Sequence, residues 1–253
     1  MSGFLLIIIV FINGCNGRKE PAAKSGHEFN GPYTGEYLNR IAYPLGGIGA
    51  GMFCIEGTGA LSHMSVRNRP EVFNEPCMFA AISVKGVENG TLVAEGEVPE
   101  WKKFGSPNTG NGSGGTSFGL PRFEKSGFLA RFPYAEIDLA DPDVPLDVKI
   151  KAWSPFIPAD ADNSSLPVAG FEYSFTNTGR AGIEAVFSYN SVNFMAVSGG
   201  NAVIRPLTNG FILTENGIKG KHETRGDFAV ITKERGTIVD HCWFRGGWWD
   251  SLT

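Results

Sequence analysis

Positive charge is scarce in this 253-residue sequence: lysine and arginine together number 22, against 26 aspartate and glutamate residues. No run of lysine or arginine is longer than two residues. A nucleic-acid-binding surface needs clustered positive charge, because it must displace counterions from the phosphates. The formal net charge of −4 therefore argues against DNA or RNA as a partner.

Cysteine and histidine are also rare, with four residues of each. Cys15, Cys54, Cys77 and Cys242 are widely spaced and contain no C-x-x-C pair, which excludes the common zinc and thioredoxin-like motifs. The last three could supply one disulfide, but free buried cysteines acting as small apolar residues are the preferred interpretation. The histidines have no metal-ligand spacing. We therefore expect neither a bound metal nor a cofactor.

The N-terminal apolar run is too short to cross a bilayer as a helix, which takes about 20 residues. This run, Phe4–Ile12, has nine residues and is typical of the central region of an export signal. The Asn13-Gly14-Cys15 that follows resembles a bacterial lipobox, in which the cysteine is lipidated. We predict a lipoprotein signal peptide over residues 1–15, lipidated at Cys15, and a flexible tether over residues 16–36. The protein is then exported and lipid-anchored to a bacterial membrane, in the periplasm or at the cell surface.

No window of the sequence has the period of a long helix. Leu146–Trp153 alternates apolar and polar residues, which is the pattern of a strand with one buried face. Val168–Thr176 and Ile183–Tyr189 behave in the same way, and the turn-forming residues 177–180 between them predict a hairpin. Further predicted strands are Met78–Val84, Phe128–Leu139, Gly210–Thr214, Phe228–Lys233 and Ile238–Phe244.

Many short strands with turn signals between them predict an all-β fold, namely a large antiparallel β-sandwich over residues 37–253. The glycine-rich segment Gly105–Gly119 cannot bury enough apolar surface to order itself, so we expect a mobile surface loop there. The chain ends on an aromatic stretch that includes Trp248 and Trp249, whereas domain ends are usually polar. This ending suggests that more protein should follow.

Three local patterns imitate functional motifs without meeting their requirements. Gly46–Gly51 lacks the third glycine of G-x-G-x-x-G and precedes strand-like residues, so a glycine-rich turn or bulge is expected. Gly115–Gly119 matches G-x-S-x-G, but it lies in the glycine-rich loop with no following helix. Asp160–Ser164 begins like a calcium loop, yet Ser165 stands where that loop requires glycine, and a capped turn is expected instead.

Three longer stretches form an ordered set between about residues 40 and 195. The first runs from Ile41 to Gly51. The second, Val66–Asn74, leads into the strand-like residues 79–82. The third begins at Phe132 and continues through Trp153–Pro158 to Val168. Together they resemble the N-terminal domain of glycoside hydrolase family 116, which includes non-lysosomal glucosylceramidases and bacterial β-glucosidases.

The resemblance implies a two-part enzyme in which an N-terminal β-sandwich packs on a C-terminal (α/α)6 barrel. The barrel carries the catalytic carboxylates in that family, so no catalytic residue is transferred to this sequence. The partners implied are the catalytic barrel and, through it, a β-glucoside or glycolipid substrate. The sandwich stabilises the barrel and shapes one wall of its cleft. Motif or interface roles are assigned to Pro44, Gly46, Gly47, Gly49, Gly51, Asn68, Arg69, Pro70, Trp248 and Trp249, although core packing is an equally good interpretation of the tryptophans.

A retaining glycosidase needs two carboxyl groups about 5 Å apart, and such pairs are spatial rather than sequential. The candidates in this sequence are Asp138, Asp141, Asp143 and Glu172, and nothing singles them out. The alternative function is a stand-alone carbohydrate-binding surface lipoprotein, in which exposed aromatic side chains stack on sugars. A purely structural envelope lipoprotein is a weaker third hypothesis.

Overall fold

The computed structural model of the protein describes residues 27–103 and 117–240. The predicted signal peptide with Cys15, most of the glycine-rich segment, and the C-terminal Cys242, Trp248 and Trp249 lie outside these residues. None of the helices in the two described ranges is long and apolar enough to span a membrane.

The described chain is almost entirely β-structure, as the sequence predicts. Its helices are α1 (Glu100–Lys103), α2 (Ala161–Ser164) and two 3-10 turns, Gly35–Leu38 and His222–Thr224. The strands are β1 (Tyr33–Thr34), β2 (Ala42–Leu45), β3 (Met52–Glu56), β4 (Leu61–Ser65), β5 (Met78–Val84), β6 (Thr91–Val93), β7 (Lys125–Arg131), β8 (Tyr134–Ala140), β9 (Leu146–Trp153), β10 (Gly170–Asn177), β11 (Ala185–Ser191), β12 (Ala202–Leu207), β13 (Gly210–Glu215) and β14 (Gly226–Ile231).

These strands form four antiparallel sheets. The largest has the order β1-β7-β8-β9-β10, and the other three have the orders β2-β3-β4, β11-β5-β6 and β12-β13-β14. In β9, Val148, Ile150 and Ala152 are buried whereas Asp147 and Lys149 are exposed, which is the alternation expected of a strand with one face on the core. The buried faces of β7, β8 and β9 pack with side chains of β3, β4 and β5 in one hydrophobic cluster. The fold is therefore all-β with sandwich-like packing of antiparallel sheets.

The predicted hairpin between Val168–Thr176 and Ile183–Tyr189 is wrong. Strand β10 pairs with β9, whereas β11 pairs with β5 in a different sheet. The two strands instead meet face to face, since the ring centroids of Tyr173 and Phe187 are 4.8 Å apart. The turn between them is real, because the side chain of Asn177 accepts a hydrogen bond from the Gly179 amide at 2.8 Å. It carries the chain from the large sheet to the β11-β5-β6 sheet. Tyr173 of β10 and Tyr189 of β11 both pack against the hydrophobic core.

Other strand predictions have mixed outcomes. Met78–Val84 and Leu146–Trp153 are confirmed with their predicted bounds. The predicted strand Phe128–Leu139 is two paired strands, β7 and β8, joined by a turn at Phe132-Pro133. Proline has no amide proton for a sheet ladder, which is why the run breaks there. Residues 238–240 of the predicted strand Ile238–Phe244 are not in a strand, and the remainder lies outside the described residues.

The end of the predicted tether belongs to the folded structure. Tyr33 and Thr34 form β1 and pair with Phe128 and Gly127 of β7. The ring of Tyr33 also lies 6.5 Å from the ring of Phe128, between centroids. Burial of this aromatic contact fixes residues 33 and 34 at the edge of the large sheet.

Two cysteines can be placed, and both are free thiols. Cys54 is buried on β3, and Cys77 is half-buried just before β5. Burial raises the pKa of the Cys54 thiol to about 11, with a further contribution from the charge of Glu56. Both cysteines therefore act as small apolar residues, in agreement with the sequence-based interpretation.

Candidate functional site

The first family-like stretch forms a turn between β2 and β3. Gly46, Gly49 and Gly51 have φ angles of 135°, 73° and 90°, which L side chains rarely adopt. A bulge follows between Met52 and Cys54, where the register with β4 shifts. The predicted glycine-rich turn or bulge is therefore confirmed, and the conformation explains why glycine is needed at these positions. Pro44 lies on β2, exposed and opposite Cys54.

This turn packs directly against the third family-like stretch. The Gly46 amide donates to Ser154 Oγ at 2.9 Å, and the Ile48 amide donates to the Ser164 carbonyl at 2.9 Å. Between them, Gly47 lies so close to the backbone that a Cβ atom there would be 2.5 Å from the Ser165 carbonyl carbon. The fold thus brings together two stretches that are more than 100 residues apart in the chain.

Replacing Gly47 with alanine is expected to destabilise the protein by about 1–3 kcal/mol, because the new methyl group must displace backbone atoms. The matched control is Gly182→Ala, since nothing lies within 4 Å of a Cβ at Gly182. Urea denaturation followed by circular dichroism measures both effects. Equal midpoints for the two variants would contradict the close packing at Gly47.

The second family-like stretch lies beside the turn. A Cβ on Gly51 would be 3.0 Å from the Ser65 carbonyl oxygen, at the end of β4. Asn68 has a φ of 52°, and Arg69 forms an ion pair with Glu71 at 2.6 Å. Asn68, Arg69 and Pro70 are exposed. These residues therefore shape a surface turn. They take no part in the hydrogen bond between Gly46 and Ser154.

Two buried ion-pair groups lie on another side of the fold. In the first, Lys102 Nζ donates to Glu56 Oε1 at 2.5 Å and to Glu75 Oε1 at 2.7 Å. Lys102 is only 1% exposed and Glu56 only 6%. A single ammonium group thus pairs with one buried and one half-buried carboxylate.

The second group centres on Glu95, which is 5% exposed. Arg122 Nη2 lies 3.2 Å from Glu95 Oε2. The same guanidinium donates to Ser117 Oγ at 2.7 Å and to the carbonyls of Phe118 and Leu120 at 3.2 and 2.9 Å. Lys102 and Arg122 therefore hold the chain on the two sides of the glycine-rich segment, and Ser117 has the role of a hydrogen-bond acceptor.

Burial governs the ionisation of this region. It raises the pKa of Glu95 to about 7, while Arg122 opposes the shift and the charge of Glu56 adds to it. Burial also raises the pKa of Glu75, against the charge of Lys102. We call Glu56, Glu75, Glu95, Lys102 and Arg122 together the buried charge cluster.

The buried charge cluster is not among the features predicted from the sequence, although the sequence contains a signal for it. Glu56 ends the apolar strand β3 and Glu95 follows the apolar strand β6, and each is followed by glycine. Glu215 likewise ends β13, and it is 2% exposed. A glutamate at the end of a buried strand is thus an indicator of a satisfied interior carboxylate.

The carboxylates named from the sequence lie in surface ion pairs, in turns or exposed on a strand. Asp138 lies 3.2 Å from Lys149 on the neighbouring strand, and both are exposed. Asp141 accepts hydrogen bonds from the amides of Glu124 and Asp143 at 3.2 and 3.0 Å, which stabilises a turn. Asp160 caps α2 through the Asn163 amide at 3.0 Å, so the predicted capped turn is confirmed. Glu172 is exposed on β10.

A solvent-open cavity of about 560 Å³ lies beside β1, β7 and α1. Its polar lining includes Glu36, Glu97, Glu100, Lys103, Glu124 and Lys125. All six side chains are exposed, and none belongs to the buried charge cluster. Within residues 27–103 and 117–240, no group of three or more histidine, cysteine or acidic side chains is arranged to hold a metal ion.

Comparison with known proteins supports the same family as the three motif stretches. The family description "beta-glucosidase 2, glycosyl-hydrolase family 116 N-term" matches residues 42–249, which is most of the chain. None of the curated proteins matches the sequence. The matched range contains the glycine-rich turn, the two serines that bind it, Ser154 and Ser164, and the buried charge cluster. The chain belongs to the N-terminal domain family of glycosyl hydrolase family 116.

Proposed function

We propose that this chain is the non-catalytic β-sandwich module of an exported glycoside hydrolase of the β-glucosidase or glucosylceramidase type. It supports an (α/α)6 barrel, and the barrel binds the β-glucoside or glycolipid and carries out the hydrolysis. The observation that carries this proposal is the family match over residues 42–249.

The environments of the carboxylates support a non-catalytic role. A glycosidase needs one ionised and one protonated carboxyl group flanking an open sugar site. Glu56, Glu75 and Glu95 are ion-paired and are not among the residues that line the cavity. The glutamates that line the cavity are exposed to water.

The chain alone is expected to release no 4-nitrophenol from 4-nitrophenyl β-glucoside above the rate of a protein-free blank. Absorbance at neutral and mildly acidic pH measures this. Glu95→Gln and Glu124→Gln serve as matched variants, because one removes the buried carboxylate and the other a carboxylate of the open cavity. Turnover by the unmodified chain that either substitution abolishes would contradict the proposal.

Export with a lipid anchor is the second part of the proposal, and it is supported by Phe4–Ile12 and Cys15. In a bacterial host given radiolabelled palmitate, we expect the chain to take up label and to sediment with membranes. Cys15→Ser is expected to lose both properties. Cys54→Ser is the control, because Cys54 is buried on β3 and should leave the labelling unchanged. Label that persists in Cys15→Ser would contradict this part of the proposal alone.

A further inference from the structure

One end of the sandwich exposes an unusual number of large apolar side chains. Ile48 is 60% exposed, Phe132 68% and Ile157 49%. Trp153, Phe156 and Leu166 are each exposed by more than a third. We call these six residues the apolar end surface.

The segments that carry these residues are linked by one ring contact and by hydrogen bonds through two serines. The rings of Phe132 and Phe156 meet edge to face with centroids 4.8 Å apart. The Ile157 amide donates to Ser164 Oγ at 2.9 Å, and the Ser164 carbonyl accepts from Ile48. The Ser154 hydroxyl, next to Trp153, holds the turn that carries Ile48. Hydrogen bonds therefore hold the segments that carry Ile48, Ile157 and Leu166 next to one another.

Charge is absent from the segments that build most of this surface. Residues 42–51, 152–159 and 163–171 contain no lysine, arginine, aspartate or glutamate. Charged residues stand at the rim, where Arg131 precedes Phe132 and Asp160 follows residue 159. Depletion of charge at the centre, aromatic enrichment and a polar rim are the compositional features of a protein–protein interface core.

The exposed area also suits an interface. A large apolar side chain presents roughly 200 Å², so six that are about half exposed present on the order of 600 Å². Interfaces between domains of one chain bury about 600–1,500 Å² counted over both sides. Exposed apolar patches of this size on a monomer mark interaction sites.

We propose that the apolar end surface is where this module docks on the (α/α)6 barrel. The inference rests on the proposed function and adds the location of the contact. Two of the three family-like stretches build this surface, as expected if the features shared within the family serve a contact with another domain. The partner surface should be apolar at its centre, since the residues here offer few hydrogen-bonding groups.

The test measures binding of the full chain to an isolated (α/α)6 domain from a bacterial family 116 β-glucosidase by biolayer interferometry. Phe156→Glu and Ile157→Glu are expected to weaken binding at least tenfold. The matched controls are Val186→Glu and Ile231→Glu, which are 70% and 63% exposed on other sheets. Circular dichroism melting is the check on folding, and all four variants are expected to be folded because the substituted positions are exposed.

The outcomes separate this inference from the proposed function. Binding that none of the four substitutions weakens, or that all weaken equally, overturns the docking surface and leaves the proposed function standing. Failure of the unmodified chain to bind the barrel overturns both. Two further results assign the surface to another occupant: concentration-dependent dimerisation that Phe156→Glu abolishes, or cello-oligosaccharide binding that Trp153→Ala abolishes.

Discussion

Replacing Lys102 with methionine is expected to lower the free energy of unfolding by about 3–5 kcal/mol, because it leaves buried carboxylates without their counter-charge. Lys102 is the direct partner of both Glu56 and Glu75, at 2.5 and 2.7 Å. Methionine matches the length of the lysine stem, so packing changes little and the lost charge dominates the effect. Urea denaturation with a circular dichroism signal gives the free energy.

Two comparisons separate a charge effect from a general packing effect. Lys149→Met removes a lysine that pairs with Asp138 and Glu136 on the exposed face of the large sheet. We expect it to cost less than about 1 kcal/mol, since solvent screens such pairs. Adding Glu56→Gln and Glu75→Gln to Lys102→Met is expected to recover part of the lost stability. If the triple variant is no more stable than Lys102→Met alone, the loss at Lys102 is not electrostatic.

The buried charge cluster also holds the chain on both sides of the glycine-rich segment Gly105–Gly119. Lys102 lies just before this segment and Arg122 just after it, and each is tied to a carboxylate in the interior. Trp101 adds to the first anchor, since its indole nitrogen donates to the Asn39 carbonyl at 2.6 Å and the Arg40 guanidinium lies over its ring. These contacts therefore fix the described residues on both sides of the segment.

Local sequence patterns predict single strands well and strand partners poorly. The alternation in Leu146–Trp153 has one explanation, a strand with one buried face, and the structure agrees. The pairing of β11 with β5 brings the Phe187 ring against the rings of Tyr173 and Phe175 on β10, and no local pattern contains these contacts. The turn at residues 177–180 is consistent with both arrangements.

In the candidate site, too, one feature could be predicted from the sequence and another could not. The glycine-rich turn could be predicted, because positions with a positive φ are usually occupied by glycine. The buried charge cluster could not, because Trp101-Lys102-Lys103 has the composition of an exposed surface. Burial of Lys102 is created by strands that are distant in sequence. The sequence indicates the cluster only through the positions of Glu56, at the end of apolar β3, and Glu95, just after apolar β6.

The chain is expected to be more stable at pH 5 than at pH 8, and Glu95 is expected to cause much of the difference. Its pKa is about 7 in the folded protein, against an ordinary value of 4.5. Between these values the folded chain holds a proton that the unfolded chain releases, so this stabilisation is complete below about pH 4.5 and is lost as the pH rises through about 7. A shift of this size corresponds to a change on the order of 3 kcal/mol.

Comparison of variants isolates the contribution of Glu95. Glu95→Gln keeps an oxygen for Arg122 but cannot titrate, so its unfolding free energy should change much less between pH 5 and pH 8. Glu184→Gln is the control, because Glu184 pairs with Lys85 at the surface and should retain the slope of the unmodified chain. Glu215 does not interfere: although burial acts to raise its pKa, three backbone amides outweigh that effect and lower it, so its contribution is lost only below pH 4.5. If the unfolding free energy of Glu95→Gln and of the unmodified chain changed equally with pH, Glu95 would be ionised beside Arg122 throughout. The buried charge cluster would then carry the same charge at pH 5 and at pH 8.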